Sequence, residues 1–236
     1  MADGPGDPIE MARVARATVA GELARAGFEP SRAGFFDRIE TFAAALALWG
    51  SKLNLTATPD DPVEIAFHII DSLAPLMLAQ RDEGAALAGA FATGVRVLDL
   101  GSGAGFPALI LAAACDADFV LLEARRKRAS FLSVTAAEMG LAKVRVDSSR
   151  TDSMRLEPVF DVVTARAFAE PAIVFRTAAA ALKPDGRVML YASPSQKPAI
   201  ERASVGSFKL AMFLDYEVPR GTANVAHLIA VSRRHA

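Results

Sequence analysis

From residue 93 onward, short β-rich runs take turns with helical patterns, and this alternation limits the folds open to the chain more than any other feature. VRVLDL precedes FPALILAAA, DFVLLE precedes KRASFLSVTAAEMG, KVRV follows, FDVVTA precedes EPAIVFRTAAAAL, and then comes GRVMLYA. Strands that alternate with helices predict a mostly parallel open sheet with helices on both faces. The last two strand-like runs, FKLAMFLDYEV and VAHLIAVS, are separated only by PRGTAN. So short a connection makes an antiparallel hairpin, because a parallel pair needs a crossover. The sheet is therefore expected to carry an antiparallel edge.

The stretch before residue 93 reads differently. PIEMARVARATVAGELARAGF, FFDRIETFAAALALWG and DPVEIAFHIIDSLAPLML carry apolar residues at helical spacing, with Pro8, Asp61 and Pro62 as helix starts. The expected organisation is a disordered tail over 1–7, a helical segment over 8–92 and an α/β domain over 93–236. Hydrophobic content of 52% against 22% charged residues excludes an intrinsically disordered chain. No apolar run reaches the roughly 18 residues of a membrane helix. The start, MADGPGDPIEMARVARA, has no charged region leading into an apolar core, so no signal peptide is expected. A single cysteine, Cys115, fits a reducing cytoplasm, and its place among alanines reads as core packing. His68, His227 and His235 are scattered without ligand spacing, so no metal is expected. With a net charge of −1, a nucleic-acid partner would have to meet a local basic patch.

The first strand-to-helix junction reads Asp99-Leu-Gly101-Ser102-Gly103-Ala-Gly105-Phe106. Ligands of open α/β sheets bind beyond the carboxyl ends of the strands, where strand order reverses. Glycines at such a turn permit unusual backbone angles and let a ligand approach the main chain. A plain tight turn would need one or two glycines; three alternate ones favour a ligand loop. The register differs from the dinucleotide fingerprint G-x-G-x-x-G, whose third glycine comes one residue later. Asp99 would repel a pyrophosphate and suit a sulfonium or amino group. Glu123 ends DFVLLE, where an acid can accept hydrogen bonds from both ribose hydroxyls. Within DSSRTDS, after the third strand, Thr151 or Asp152 can reach an adenine edge.

The pattern D-x-G-x-G-x-G resembles motif I of the S-adenosylmethionine-dependent methyltransferases. Around it, Trp49, Asn54-Leu55-Thr56 and His68-Ile-Ile-Asp71-Ser72 resemble a W…NLT…H-x-x-DS block. LDLGSGAGFP, LLEARRKRASFL, Ser149-Arg150 before Thr151-Asp152, and TARAFA around Arg166 resemble further motifs, in order, of the RsmG (GidB) family of 16S ribosomal RNA guanine-N7 methyltransferases. The resemblance implies a Rossmann-like, class I methyltransferase fold with S-adenosylmethionine as cofactor. Its partner would be 16S rRNA or the small-subunit ribosomal particle. The expected cofactor site joins Asp99, Gly101, Ser102, Gly103, Gly105 and Glu123 with Phe106, Thr151, Asp152 and Arg166.

Guanine N7 has an in-plane lone pair and carries no proton, so methylation there needs alignment and electrostatics more than a general base. The sequence offers no base or nucleophile, and only Arg166 is a candidate contributor to catalysis. Arg125, Arg126, Lys127 and Arg128 form the one dense basic run. Four cations at a helix start oppose its dipole by roughly 0.3–1 kcal/mol each before screening, a mild cost that leaves an anionic partner and a merely solvated face equally open. With Arg150 and His227 they are the expected RNA-facing cations. Two positions depart from the family. Ala192-Ser193 stands where a Lys-Gly pair ends the fifth strand, and Ala226-His227 keeps only the histidine of an Arg-His pair. The missing cations leave two other readings open: a small-molecule methyltransferase of the same fold, and a non-catalytic cofactor- or RNA-binding paralogue. A nicotinamide oxidoreductase comes last, on the glycine register.

Overall fold

A computed structural model describes residues 7–149, 157–204 and 206–235. Three helices come first: α1 (Pro8–Arg25), α2 (Phe35–Leu53) and α3 (Pro62–Ser72). The expected starts are real. The Asp7 side chain accepts the Ile9 amide at 3.0 Å, and Asp61 accepts the amides of Val63 and Glu64 at 2.8 and 3.4 Å. Each carboxylate satisfies N–H groups that have no partner within the helix, and a proline follows where its missing N–H costs nothing. A short α4 (Ala74–Leu78) and a 3-10 turn lead into the sheet.

The remaining elements alternate as the sequence predicts: β1 (Arg96–Leu100), α5 (Ala108–Ala114), β2 (Asp118–Leu122), α6 (Arg126–Glu138), β3 (Val144–Asp147), β4 (Phe160–Arg166), α7 (Pro171–Ala181), β5 (Leu182–Ala192), α8 (Lys197–Ala203), β6 (Phe208–Arg220) and β7 (Ala223–Arg234). The seven-stranded sheet has the order β3-β2-β1-β4-β5-β7-β6. Strands β1 to β5 are parallel, and β7 runs antiparallel to both of its neighbours, β5 and β6. The hairpin lies at the sheet edge with β7 inserted one place in. Its turn is tighter than PRGTAN suggested, because only Gly221 and Thr222 lie outside the strands. Gly221 takes a φ of 61°, a value it adopts without steric cost.

Side chains along the central strands alternate between two buried cores, as a sheet covered on both faces requires. Val97, Val162, Met189 and Ile229 join the core containing Phe42, Ile65, Leu109 and Leu132. Leu98, Val163, Val188 and Leu228 join the core containing Val174 and Ile200. The N-terminal helices therefore share their apolar core with one face of the sheet. Strand order reverses between β1 and β4, and the carboxyl ends of β1, β2, β4 and β5 share one edge, the usual place for a ligand in such sheets.

Among the described residues, no helix is long and apolar enough to cross a membrane, and no group of three or more His, Cys, Asp or Glu is placed to hold a metal. Cys115 is buried and free, and burial pushes its thiol up to about 11.

Candidate active site

The glycine loop leaves β1 by turning beneath β2, with the Gly101 and Ser102 amides both donating to the Leu122 carbonyl, at 2.9 and 3.1 Å. Gly101, Gly103 and Gly105 have φ values of 68°, 54° and 103°, in the left-handed region that favours glycine. Their surroundings differ. A Cβ on Gly101 would come within 2.4 Å of the Phe168 ring, and one on Gly105 within 2.7 Å of Leu109 and 3.2 Å of Phe42. On Gly103 it would meet only the Gly101 carbonyl, at 3.7 Å. Two of the three glycines thus serve packing within the protein, and Gly103 faces open space.

Glu123, just past the end of β2, fixes that loop. Its Oε2 accepts the Gly103 amide at 3.0 Å and its Oε1 the Arg125 amide at 2.8 Å. Each carboxylate oxygen keeps a further lone pair for a ligand hydroxyl. Asp99 is 1% exposed. Its Oδ1 accepts from the Thr164 hydroxyl at 2.6 Å, while the buried Oδ2 has no hydrogen-bond partner. Burial pushes the Asp99 carboxyl up to about 6, against the Thr164 hydrogen bond and the charge of Arg166. The Ser102 hydroxyl donates to the Asp99 carbonyl at 3.4 Å. Phe106 packs edge-on against Phe42, with centroids 5.1 Å apart, and at the same distance from the His68 ring. The loop is thereby seated on α2 and α3.

Beside it, at the carboxyl end of β4, stands a polar cluster assembled from four elements. Asp71 of α3 is fully buried. Its Oδ1 accepts from the Tyr216 hydroxyl of β6 and pairs with Nδ1 of His227 on β7, both at 2.7 Å. Arg166 Nε lies 2.9 Å from Asp71 Oδ2, outside hydrogen-bond alignment, so charge rather than a directed bond holds that contact. Burial alone would raise Asp71. The His227 hydrogen bond, the Arg166 charge and the Tyr216 hydrogen bond outweigh it and hold the carboxyl below its ordinary value. The Arg166 guanidinium also reaches His68 Nδ1 at 2.8 Å, and burial together with Arg166 lowers His68 to about 3. His68 is therefore a neutral acceptor for Arg166. Tyr191 donates its hydroxyl to the Ser72 carbonyl at 2.9 Å. Arg166, Tyr191, Ala192, Ser193, Gln196 and His227 line a cleft of about 230 Å³ over this cluster.

Arg125, Arg126 and Lys127 are exposed at the start of α6. Arg128 is half-buried, and its guanidinium donates to the Asn54 carbonyl at the end of α2. It ties two helices together, which the sequence reading of a uniform basic run did not foresee. His227 lies on the cleft wall as a partner of Asp71. Arg150, Thr151 and Asp152 lie outside the described residues, as do residues 1–6 of the expected tail. Asp71, Tyr191 and Tyr216 carried no assigned role in the sequence reading. The available signals were the H-x-x-DS block that contains Asp71 and the setting of that acid in the apolar helical run AFHIIDSL.

The family described as rRNA small subunit methyltransferase G (GidB) matches residues 36–228. The chain is 32% identical over 207 residues to the ribosomal RNA small subunit methyltransferase G of Cupriavidus pinatubonensis, covering 84% of this chain and 87% of that protein. With the protein of the same name from Acidiphilium cryptum it shares 41% identity over 151 residues, 63% of this chain and 64% of that one. Among solved structures, an S-adenosylmethionine-dependent O-methyltransferase from Thermotoga maritima superposes with a TM-score of 0.50 at 16% identity, covering 71% of this chain and 65% of that one. At such identity the likeness speaks to the fold, which is that of a Rossmann-like class I methyltransferase.

Proposed function

Because the chain belongs to the rRNA small subunit methyltransferase G (GidB) family, we propose that it methylates N7 of a guanine in 16S ribosomal RNA, with S-adenosylmethionine as methyl donor. The observation that carries the cofactor reading is the pairing of Glu123 with Gly103, a carboxylate holding the amide of the one loop glycine that faces open space. The residues present fit such a cofactor. Glu123 can accept ribose hydroxyls, Gly103 admits a ligand against the backbone, and the unpartnered Oδ2 of Asp99 supplies negative charge under the loop. Thr151 and Asp152 would border the adenine. When bound, the cofactor would supply a methyl group carrying the sulfonium's positive charge.

The protein's own part is alignment. The cleft beside Arg166 and His227 would seat the acceptor base with its N7 lone pair toward the loop. No proton has to leave N7, so no base is required, and orientation in a water-poor site supplies the rate. Arg125, Arg126 and Lys127, with Arg150, would meet RNA phosphates of the 16S rRNA or of the small-subunit particle, and the reaction would be cytoplasmic. A small-molecule acceptor is the second reading. It is favoured by Ala192, which places no cation on the cleft wall. Mass spectrometry of rRNA nucleosides from cells with and without this gene separates the two. Loss of one 7-methylguanosine from 16S rRNA supports the RNA reading, and an unchanged nucleoside profile rejects it.

A further inference from the structure

The Asp71–Arg166 pair suits a task beyond holding the fold. Arg166 ends β4 one residue past Ala165, which pairs with Leu100, the last residue of β1 before the glycine loop. Its guanidinium lies over the Phe106 ring at 5.7 Å and acts on the Asp99 carboxyl through its charge. A fixed cation thus sits between the glycine loop and the cleft. This is an awkward place for one, because a methyl transfer to a neutral nitrogen moves positive charge past it. The electron pair of the acceptor nitrogen forms the new N–CH3 bond, the sulfur keeps the pair of the broken S–CH3 bond, and the positive charge passes to the acceptor ring.

Resting on the methyltransferase reading, we propose that Asp71 is a positioning and charge-balancing residue. It clamps Arg166 and His227 at the cleft and cancels the Arg166 charge, so that the site accepts a cationic methyl donor as readily as its neutral product. The surroundings of Arg166 support this. The side chain is 18% exposed, and its partner Asp71 is closed off from solvent. The other groups that meet the pair are the neutral acceptor His68, the hydroxyl of Tyr216, His227, and Asp99 beneath the loop. Among the described residues, Asp71 is the one that touches Arg166, Tyr216 and His227 together, joining α3 to β4, β6 and β7. Its unaligned contact with Arg166 is electrostatic in character, which is what charge cancellation requires.

The test compares two ligands that differ by one methyl group and one positive charge. S-adenosylmethionine and S-adenosylhomocysteine are titrated by calorimetry into the full-length protein and its Asp71→Asn, Arg166→Gln and Asp71→Asn/Arg166→Gln variants. Leaving Arg166 uncompensated in Asp71→Asn should weaken the cationic ligand relative to the neutral one by about ten-fold, the scale of one unit charge roughly 10 Å away at an effective dielectric near 20. Arg166→Gln should shift the ratio the other way, and the double variant should restore it. A purely structural role would weaken both ligands alike, and an unchanged ratio in the single variants overturns the proposal. If Asp71→Asn does not fold, Arg166→Gln decides alone: a ratio moved toward the cationic ligand supports the proposal, and an unmoved one ends it. Failure of the wild-type protein to bind either ligand would instead sink the methyltransferase reading.

Discussion

Glu123 Oε2 accepts the Gly103 amide at 3.0 Å, so the carboxylate ending the second strand holds the glycine loop that follows the first. The sequence suggested Glu123 only as a ribose acceptor. Its hold on the loop makes the strand end and the loop one preorganised unit, so a ligand touching either meets a backbone already fixed in place.

The three loop glycines should separate by phenotype. Gly103→Ala places a Cβ in open space, so the protein should fold with a loss of about 1 kcal/mol for the left-handed backbone, and S-adenosylmethionine affinity should fall at least ten-fold. Gly105→Ala drives a Cβ into Leu109 and Phe42 and should cost about 2–4 kcal/mol in thermal or denaturant melting. Equal effects of the two substitutions on stability would contradict the division of roles.

His68 predicts an acid-sensitive contribution to stability. Its pKa falls from 6.5 to about 3 in the folded protein, because burial and Arg166 both disfavour the charged ring. The neutral ring's contribution is complete above pH 6.5 and is lost as pH falls from there toward 3. At pH 5 the loss is about 2 kcal/mol, at 1.36 kcal/mol per unit. Asp99, raised to about 6, titrates in an overlapping window with the opposite sign. Its protonated form is favoured by the fold, and that contribution disappears as pH rises through 6. Subtracting the pH–stability curve of His68→Asn from that of the wild type isolates the histidine. A flat difference between pH 7.5 and 5 would refute the assignment.

The basic run should split in the same way. Charge reversal at Arg125 and Arg126, both exposed, should flatten the dependence of log RNA affinity on log salt by about one unit per lost phosphate contact, with little change in melting. Arg128→Ala should instead lower stability by about 1–2 kcal/mol, since it removes the donor to the Asn54 carbonyl. Restoring a cation at the exposed Ala226, as Ala226→Arg, should strengthen RNA binding. Filter-binding titrations across a salt series read the first and third, and thermal or denaturant melting reads the second. An unaltered slope after charge reversal would remove RNA from this surface.

Much of the architecture was legible because it is written in local patterns. The switch from helical spacing to alternating strands, the short connection between the last two strands and the position of the glycine loop each depend on neighbours in sequence. The division among the loop glycines was not legible, because Phe168, Leu109 and Phe42 reach the loop only in the folded state. The cluster around Asp71 was hidden for the same reason. Its partners Arg166, Tyr216 and His227 lie on three strands far along the chain, and although the sequence offers Arg166 and His227 as cofactor- and RNA-facing candidates, nothing local in it joins them to Asp71. Arg128 shows the converse: a charge run looks uniform in sequence, and packing takes one member out of it.

The proposed reaction is transfer of a methyl group from S-adenosylmethionine to guanine N7 in 16S rRNA. The direct measurement is incubation of the purified protein with methyl-labelled S-adenosylmethionine and small ribosomal subunits from cells lacking the gene, followed by nucleoside mass spectrometry of the 16S rRNA. Label should appear in a single 7-methylguanosine and be abolished when Gly103→Val replaces the wild-type protein. Label in another nucleoside, or none in rRNA while the protein binds the methyl donor, would contradict that reaction.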